Sequence, residues 1–224
     1  MTRSITHFIF DMDGLLLDTE PFYTQATQEI VGEYGKTFDW SLKSRMMGRP
    51  AIESARFLVA SLDLPITPEE YLRRREGTMT RLYPTALPKP GAVALTRRAK
   101  GLGIPLAVAT SSTRKIFDLK TQHHRDWFSV FDAVITGDDP DLHRGKPAPD
   151  IFLLAAERMK ADPAHCLVFE DAPSGVEAAL AAGMTVVVIP DPNMDRALFP
   201  PAQRVLDSLE TFRFEEWPLT CQAL

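Results

Sequence analysis

The chain has 224 residues, 45% hydrophobic and 25% charged, enough to bury a real core as one large domain or as a core carrying an insertion. A formal net charge of −5 gives no reason to expect nucleic acid or an anionic membrane surface as partner. Two cysteines, Cys166 and Cys221, exclude a disulfide framework and a cysteine-based metal site, and no run nears the ~18 apolar residues of a membrane helix.

The first element is a short apolar run, Phe8 to Phe10, which reads as a buried strand. It stops at Asp11 and Asp13, followed by Gly14, a residue suited to a sharp turn. This early stop also separates the run from a signal peptide, so the expected location is cytoplasmic. Asp11-Met12-Asp13-Gly14 has two readings at this point. One is a polar turn closing a strand. The other is a metal-bound nucleophile, because burying two acids costs several kcal/mol unless a counter-charge such as a divalent ion compensates.

After Asp18 the pattern becomes helical. Phe22, Ala26, Ile30, Val31 and Tyr34 recur at helical spacing, with Gly35 placed as a C-cap. Further helices are expected over Leu42–Met47, Ile52–Leu62 and Pro68–Tyr83, the last with Thr67 as N-cap. Arg73, Arg74 and Arg75 read as an exposed face of that helix. With no strand pattern from 18 to 85, this stretch is expected to be an inserted all-helical domain. Residues 1–17 and 86–224 form the core around it.

Within the core, strands are expected at 104–109, 133–135, 166–169 and 185–189, besides the first. They alternate with helices over 93–102, 116–121, 150–160 and 175–182. Such alternation implies right-handed crossovers and a five-stranded parallel sheet covered on both faces, an α/β Rossmann-like core. The tail beyond Asp191 reads as loop with one short strand or helix. Ser174-x-x-Glu177 reads as a capping box, and Cys166 as a small buried hydrophobe.

Sites in such sheets lie at the carboxyl ends of the strands. Those ends carry Asp11 and Asp13, then Thr110-Ser111-Ser112, then the loop leading to Lys146-Pro147, then Glu170-Asp171. Each is unremarkable alone: an N-cap, a solvated lysine, dipole-favoured acids. Together they make the set that phosphate chemistry needs. Mg²⁺ takes carboxylate oxygens and substrate phosphate, the phosphate takes hydroxyls and a positive charge, and an acid two residues past the nucleophile can shuttle protons.

These motifs, in this order, resemble the haloacid-dehalogenase (HAD) superfamily of phosphohydrolases, subclass I, with a helical cap after the first motif. Met47-Gly48-Arg49, Tyr83-Pro84-Thr85-Ala86, Phe117-Asp118-Leu119-Lys120-Thr121 and Cys166 to Met184 further resemble its pseudouridine-5′-phosphatase-like and β-phosphoglucomutase-like branch. The resemblance implies Asp11 as nucleophile and Asp13 as acid/base. It implies a Mg²⁺ site of Asp11, Asp13, Glu170 and Asp171, and phosphate contacts from Thr110, Ser111 and Lys146. Arg49 is the candidate cap contact. Gly137-Asp138-Asp139 resembles another acidic signature of the superfamily but precedes Lys146, so Glu170-Asp171 is preferred.

The implied activity is hydrolysis of a small phosphorylated metabolite, pseudouridine 5′-phosphate or a sugar phosphate, by a monomer. A phosphomutase is the first rival. Its family carries a histidine in the first cap helix, where Tyr23 stands here, and the five histidines all lie outside the cap. A non-catalytic binding protein is the second, against which Asp11, Asp13 and Lys146 are all present. A dehalogenase would need no Asp13.

Overall fold

The computed structural model describes residues 4–46, 51–199 and 204–220. The chain forms two compact units, Met1–Asp18 with Leu87–Leu224, and Thr19–Ala86. Among the described residues, no helix is long and apolar enough to cross a membrane.

The first unit is built on a parallel sheet. Its strands are β1 (His7–Phe10), β2 (Leu106–Ala109), β3 (Ala133–Ile135), β4 (Cys166–Glu170), β5 (Thr185–Val188) and β6 (Arg204–Val205), in the order β3-β2-β1-β4-β5-β6. The sheet is one strand wider than expected. β6 is only two residues long and pairs Val187 with Arg204 and Val188 with Val205, too short to show a periodicity. The central strands β1, β2 and β4 are buried at every position, which explains why they read as unbroken apolar runs rather than as alternation.

Strand order reverses between β1 and β4, the place where a parallel sheet opens a crevice at its carboxyl edge. There Phe10 pairs in register with Phe169 and stacks on it at 4.5 Å. The Asp11 amide donates to Phe169 O at 3.0 Å. The next residue of each strand is an acid, so the pairing that aligns two phenylalanines also brings Asp11 beside Glu170.

Helices of this unit are α5 (Ala92–Gly101), α6 (Arg114–Thr121), α7 (Arg125–Phe128), α8 (Asp150–Arg158) and α9 (Pro173–Ala181). The single turn α7 was not expected from the sequence. It buries Trp127 and Phe128, and Trp127 donates its indole N–H to Thr96 Oγ1 at 2.9 Å. The capping box is also corrected. Ala172, not Ser174, is the N-cap of α9, and no side chain caps it; Pro173 at the first position already removes one unbonded amide. Cys166 is buried, as expected, and burial pushes its thiol up to about 12. Cys221 lies outside the described residues.

The second unit contains α1 (Glu20–Gly32), α2 (Trp40–Met46), α3 (Ala51–Leu62) and α4 (Pro68–Leu82) around Ile30, Val31, Leu58, Leu64 and Tyr71. The buried Tyr71 hydroxyl bonds Thr27 Oγ1 at 2.8 Å, satisfying two polar groups inside an apolar cluster. Thr67 caps α4, accepting from the Glu70 amide at 3.1 Å. α1 ends at Gly32, earlier than expected, and Gly35 at φ 68° turns the chain afterwards. The three arginines do not form one exposed face. Arg73 is exposed, but Arg74 reaches Glu33 and Tyr34, and Arg75 lies over the rings of Tyr23 and Tyr71.

Candidate active site

Two buried lysines organise the carboxyl edge of the sheet. Lys146 Nζ lies 2.5 Å from Asp11 Oδ1, 2.6 Å from Glu170 Oε1 and 3.1 Å from Ala109 O. Its three donors are therefore used on the ends of β1, β2 and β4. Glu170, 1% exposed, turns its other oxygen to the backbone amides of Asp171 and Ala172 at 2.9 and 3.1 Å. That carboxylate both anchors the lysine and shapes the turn into α9.

Burial pushes the Asp11 carboxyl up to about 7, against the pull of Lys146. Burial also opposes the Lys146 ammonium, but Asp11 and Glu170 outweigh it and hold Lys146 above its ordinary value. The lysine thus keeps its proton, and the strain of burial falls on Asp11.

Asp11, Glu170 and Asp171 each offer a carboxylate oxygen, all within 4.8 Å of one another. Three acidic side chains brought this close favour a cation among them. Hard oxygen donors of this kind suit Mg²⁺. The backbone is shaped for the same cluster. A Cβ on Gly14, at φ 82°, would stand 2.2 Å from Asp171 Oδ2, and one on Gly175 would stand 1.7 Å from Glu170 Oε1. Both positions have room for the acids only because they lack a side chain. The residues present therefore fit a divalent cation.

Asp13 occupies a second cluster. Its Oδ1 accepts from Lys120 Nζ at 2.6 Å, and its Oδ2 from Ser112 Oγ at 3.0 Å and, more weakly, Thr110 Oγ1 at 3.4 Å. Thr110 is fully buried and also accepts from the Ser112 amide at 3.1 Å. Ser111 is exposed, and its carbonyl lies where a Cβ on Gly137 would approach to 2.3 Å. The hydroxyls are not the cap of α6: Thr113 takes that place, accepting from the Ile116 amide.

The structure thus groups Asp11, Lys146, Glu170 and Asp171 at one point, and Asp13 with Thr110 at the next. Arg49 lies outside the described residues. Asp138 and Asp139 bond elsewhere, the first to the Arg114 amide and Thr136, the second to Arg158. Ser112 and Lys120 enter the sequence reading only as members of Thr110-Ser111-Ser112 and Phe117-Asp118-Leu119-Lys120-Thr121, without a site role of their own. Phe117, Lys120 and Thr121 are the buried residues of α6. Their i, i+3, i+4 spacing puts this lysine on the inward stripe of the helix, and that spacing is the signal that could have found it.

A family model for haloacid dehalogenase-like hydrolases matches residues 5–183. The chain belongs to that family. Among curated proteins it is 51% identical over 221 residues to (DL)-glycerol-3-phosphatase 1, mitochondrial, of Arabidopsis thaliana, covering 96% of this chain and 74% of that one. It is 44% identical over 220 residues to a Drosophila melanogaster protein named as a probable pseudouridine-5′-phosphatase, covering 97% and 95%. Among solved structures, a Thermotoga maritima protein provisionally named a β-phosphoglucomutase superposes with a TM-score of 0.76 at 32% identity, covering 92% of this chain and 95% of that one. The family and the branch expected from the motifs are those of these relatives.

Proposed function

We propose that this chain is a Mg²⁺-dependent phosphatase working through an aspartyl-phosphate on Asp11. It is a hydrolase of phosphate monoesters, as its family and its phosphatase relatives indicate. The observation that carries the finer reading is the junction of Asp11, Lys146 and Glu170 beside Asp171, at the point where strand order reverses.

Asp11, Glu170 and Asp171 would hold the cation with their carboxylates, and Asp13 would add its main-chain carbonyl. When bound, the cation offsets negative charge on the phosphoryl oxygens and on Asp11. Thr110 and the Ser111 backbone would bind the substrate phosphate, and Lys146, whose three donors hold Asp11, Glu170 and the Ala109 carbonyl, would attract it by charge alone.

An Asp11 oxygen attacks phosphorus, the bond to the ester oxygen breaks, and Asp13 gives its proton to the departing alkoxide. Water then attacks the aspartyl-phosphate, Asp13 takes the water proton, and inorganic phosphate leaves with Asp11 restored. Glycerol 3-phosphate and pseudouridine 5′-phosphate, the substrates in the relatives' names, are both phosphate esters of small hydroxyl-rich molecules. That is the substrate class proposed here.

The test is phosphate release with Mg²⁺ from glycerol 3-phosphate, pseudouridine 5′-phosphate, UMP, sugar phosphates and β-glucose 1-phosphate, each with an EDTA control. Metal-dependent release from one or a few of them supports the reading. Conversion of β-glucose 1-phosphate to its isomer without phosphate release would replace it with a mutase.

A further inference from the structure

The mechanism above leaves one buried charge without a task. Lys120, 1% exposed, sits on the inward stripe of α6. Burying an ammonium costs several kcal/mol unless its partners are well placed, so a lysine kept at this position is expected to serve them. Its partners are Asp13 Oδ1 at 2.6 Å and Ser112 Oγ at 2.8 Å.

We propose that Lys120 is a positioning residue that, together with Ser112, clamps the Asp13 carboxylate in its working orientation. An ammonium only donates, so Ser112 Oγ must accept from Lys120 and is left to donate its own proton to Asp13 Oδ2. Lys120 therefore acts on both oxygens of Asp13, on Oδ1 directly and on Oδ2 by setting the direction of the serine hydroxyl. Thr110 adds a weaker third contact at 3.4 Å. An acid/base two residues after the nucleophile has a side chain with two free torsions, and proton transfer needs it within hydrogen-bond reach of the ester oxygen. A two-point clamp restricts both torsions. The two acids of the first motif are thus provided for alike, Asp11 by Lys146 and Asp13 by Lys120.

The proposal rests on the reading of Asp13 as acid and base, and the experiment separates the two. An alkyl phosphate needs its leaving oxygen protonated, whereas p-nitrophenolate leaves without help. kcat/KM, which covers the steps through departure of the leaving group, is measured for p-nitrophenyl phosphate and for the best alkyl phosphate of the panel above. Lys120→Met should lower the alkyl value on the order of 100-fold, the low end of general-acid effects, and the p-nitrophenyl value only a few-fold. Asp13→Asn should show the same split, and adding Lys120→Met to it should cost nothing more, since a residue acting through another is silent once that partner is gone.

Lys120→Gln, which can still donate to Asp13, should recover part of the alkyl activity and serves in place of Lys120→Met if that variant does not fold. Equal losses on both substrates from the lysine variant, or the same loss with and without Asp13, would make Lys120 a purely structural residue. Equal losses on both substrates from Asp13→Asn alone would instead remove the acid/base reading beneath it.

Discussion

Lys146 and Asp11 lie 135 residues apart in the chain, yet their Nζ and Oδ1 atoms stand 2.5 Å apart. The same ammonium is 2.6 Å from Glu170, so removing it leaves two buried carboxylates facing each other. Breaking a buried pair from one side costs about 3–5 kcal/mol. Lys146→Met should therefore lower the unfolding free energy by roughly that amount, measured by urea titration, and abolish phosphate release. A variant as stable as the parent would mean that the lysine does not carry the burial of these acids.

Asp11→Asn removes the proposed nucleophile together with a charge that burial disfavours. Glu170 remains to pair Lys146, so the fold should persist. Phosphate release should fall to background, while the thermal midpoint in EDTA should not drop. Residual turnover above a few per cent would take Asp11 out of the nucleophile role.

Gly14 ties the backbone to the acid cluster. Its φ of 82° disfavours an L side chain, and a Cβ would meet Asp171 Oδ2 at 2.2 Å. Gly14→Ala should destabilise by about 1–2 kcal/mol through the backbone alone. It should also displace Asp171, raising by at least about tenfold the Mg²⁺ concentration that gives half-maximal activity. An unchanged Mg²⁺ requirement would place Asp171 outside the cation's coordination sphere.

The sequence was most informative where chemistry interrupts a hydrophobic run. Phe8 to Phe10 followed by Asp11, and Leu167 to Phe169 followed by Glu170, are strand ends that polarity alone marks. That Phe10 and Phe169 are paired, and so bring the two acids together, is a fact of sheet register and is not written in either segment. Lys120 was harder to see because a lone lysine on a short helix reads as solvated. Its partner Asp13 is 107 residues away, a distance that local pattern does not span. β6 and α7, of two and four residues, are too short to show any period. Ser174 is not the cap because Pro173 starts the first turn, which places the N-cap two residues earlier, at Ala172.

Thr67 offers a test of stability apart from chemistry. Its hydroxyl accepts from the Glu70 amide, and Pro68 follows at the first helical position. Thr67→Ala should cost about 1 kcal/mol, the usual value of such a cap. The effect should appear as an earlier denaturant midpoint at unchanged kcat/KM. A loss of activity without a loss of stability would mean that α4 affects turnover by more than its folding.

His7 gives the fold a dependence on acid that is separate from the active site. It begins the central strand β1, is 4% exposed, and shares a 2.7 Å hydrogen bond with Thr6 Oγ1 through Nδ1. Burial lowers its pKa below 6.5, and the charge of Asp132 recovers only part of the shift. The unfolded chain takes up this proton near pH 6.5, while the folded chain resists it to lower pH. In that window the unfolded state binds more protons, so stability is full above about pH 6.5 and declines as pH falls through it. His7→Gln cannot titrate and should lose this component. The stability difference between parent and His7→Gln, from urea midpoints at pH 7.5 and 5.5, should therefore shift toward the variant at the lower pH. A difference that stays constant would mean that His7 has the same proton affinity in the folded and unfolded chains.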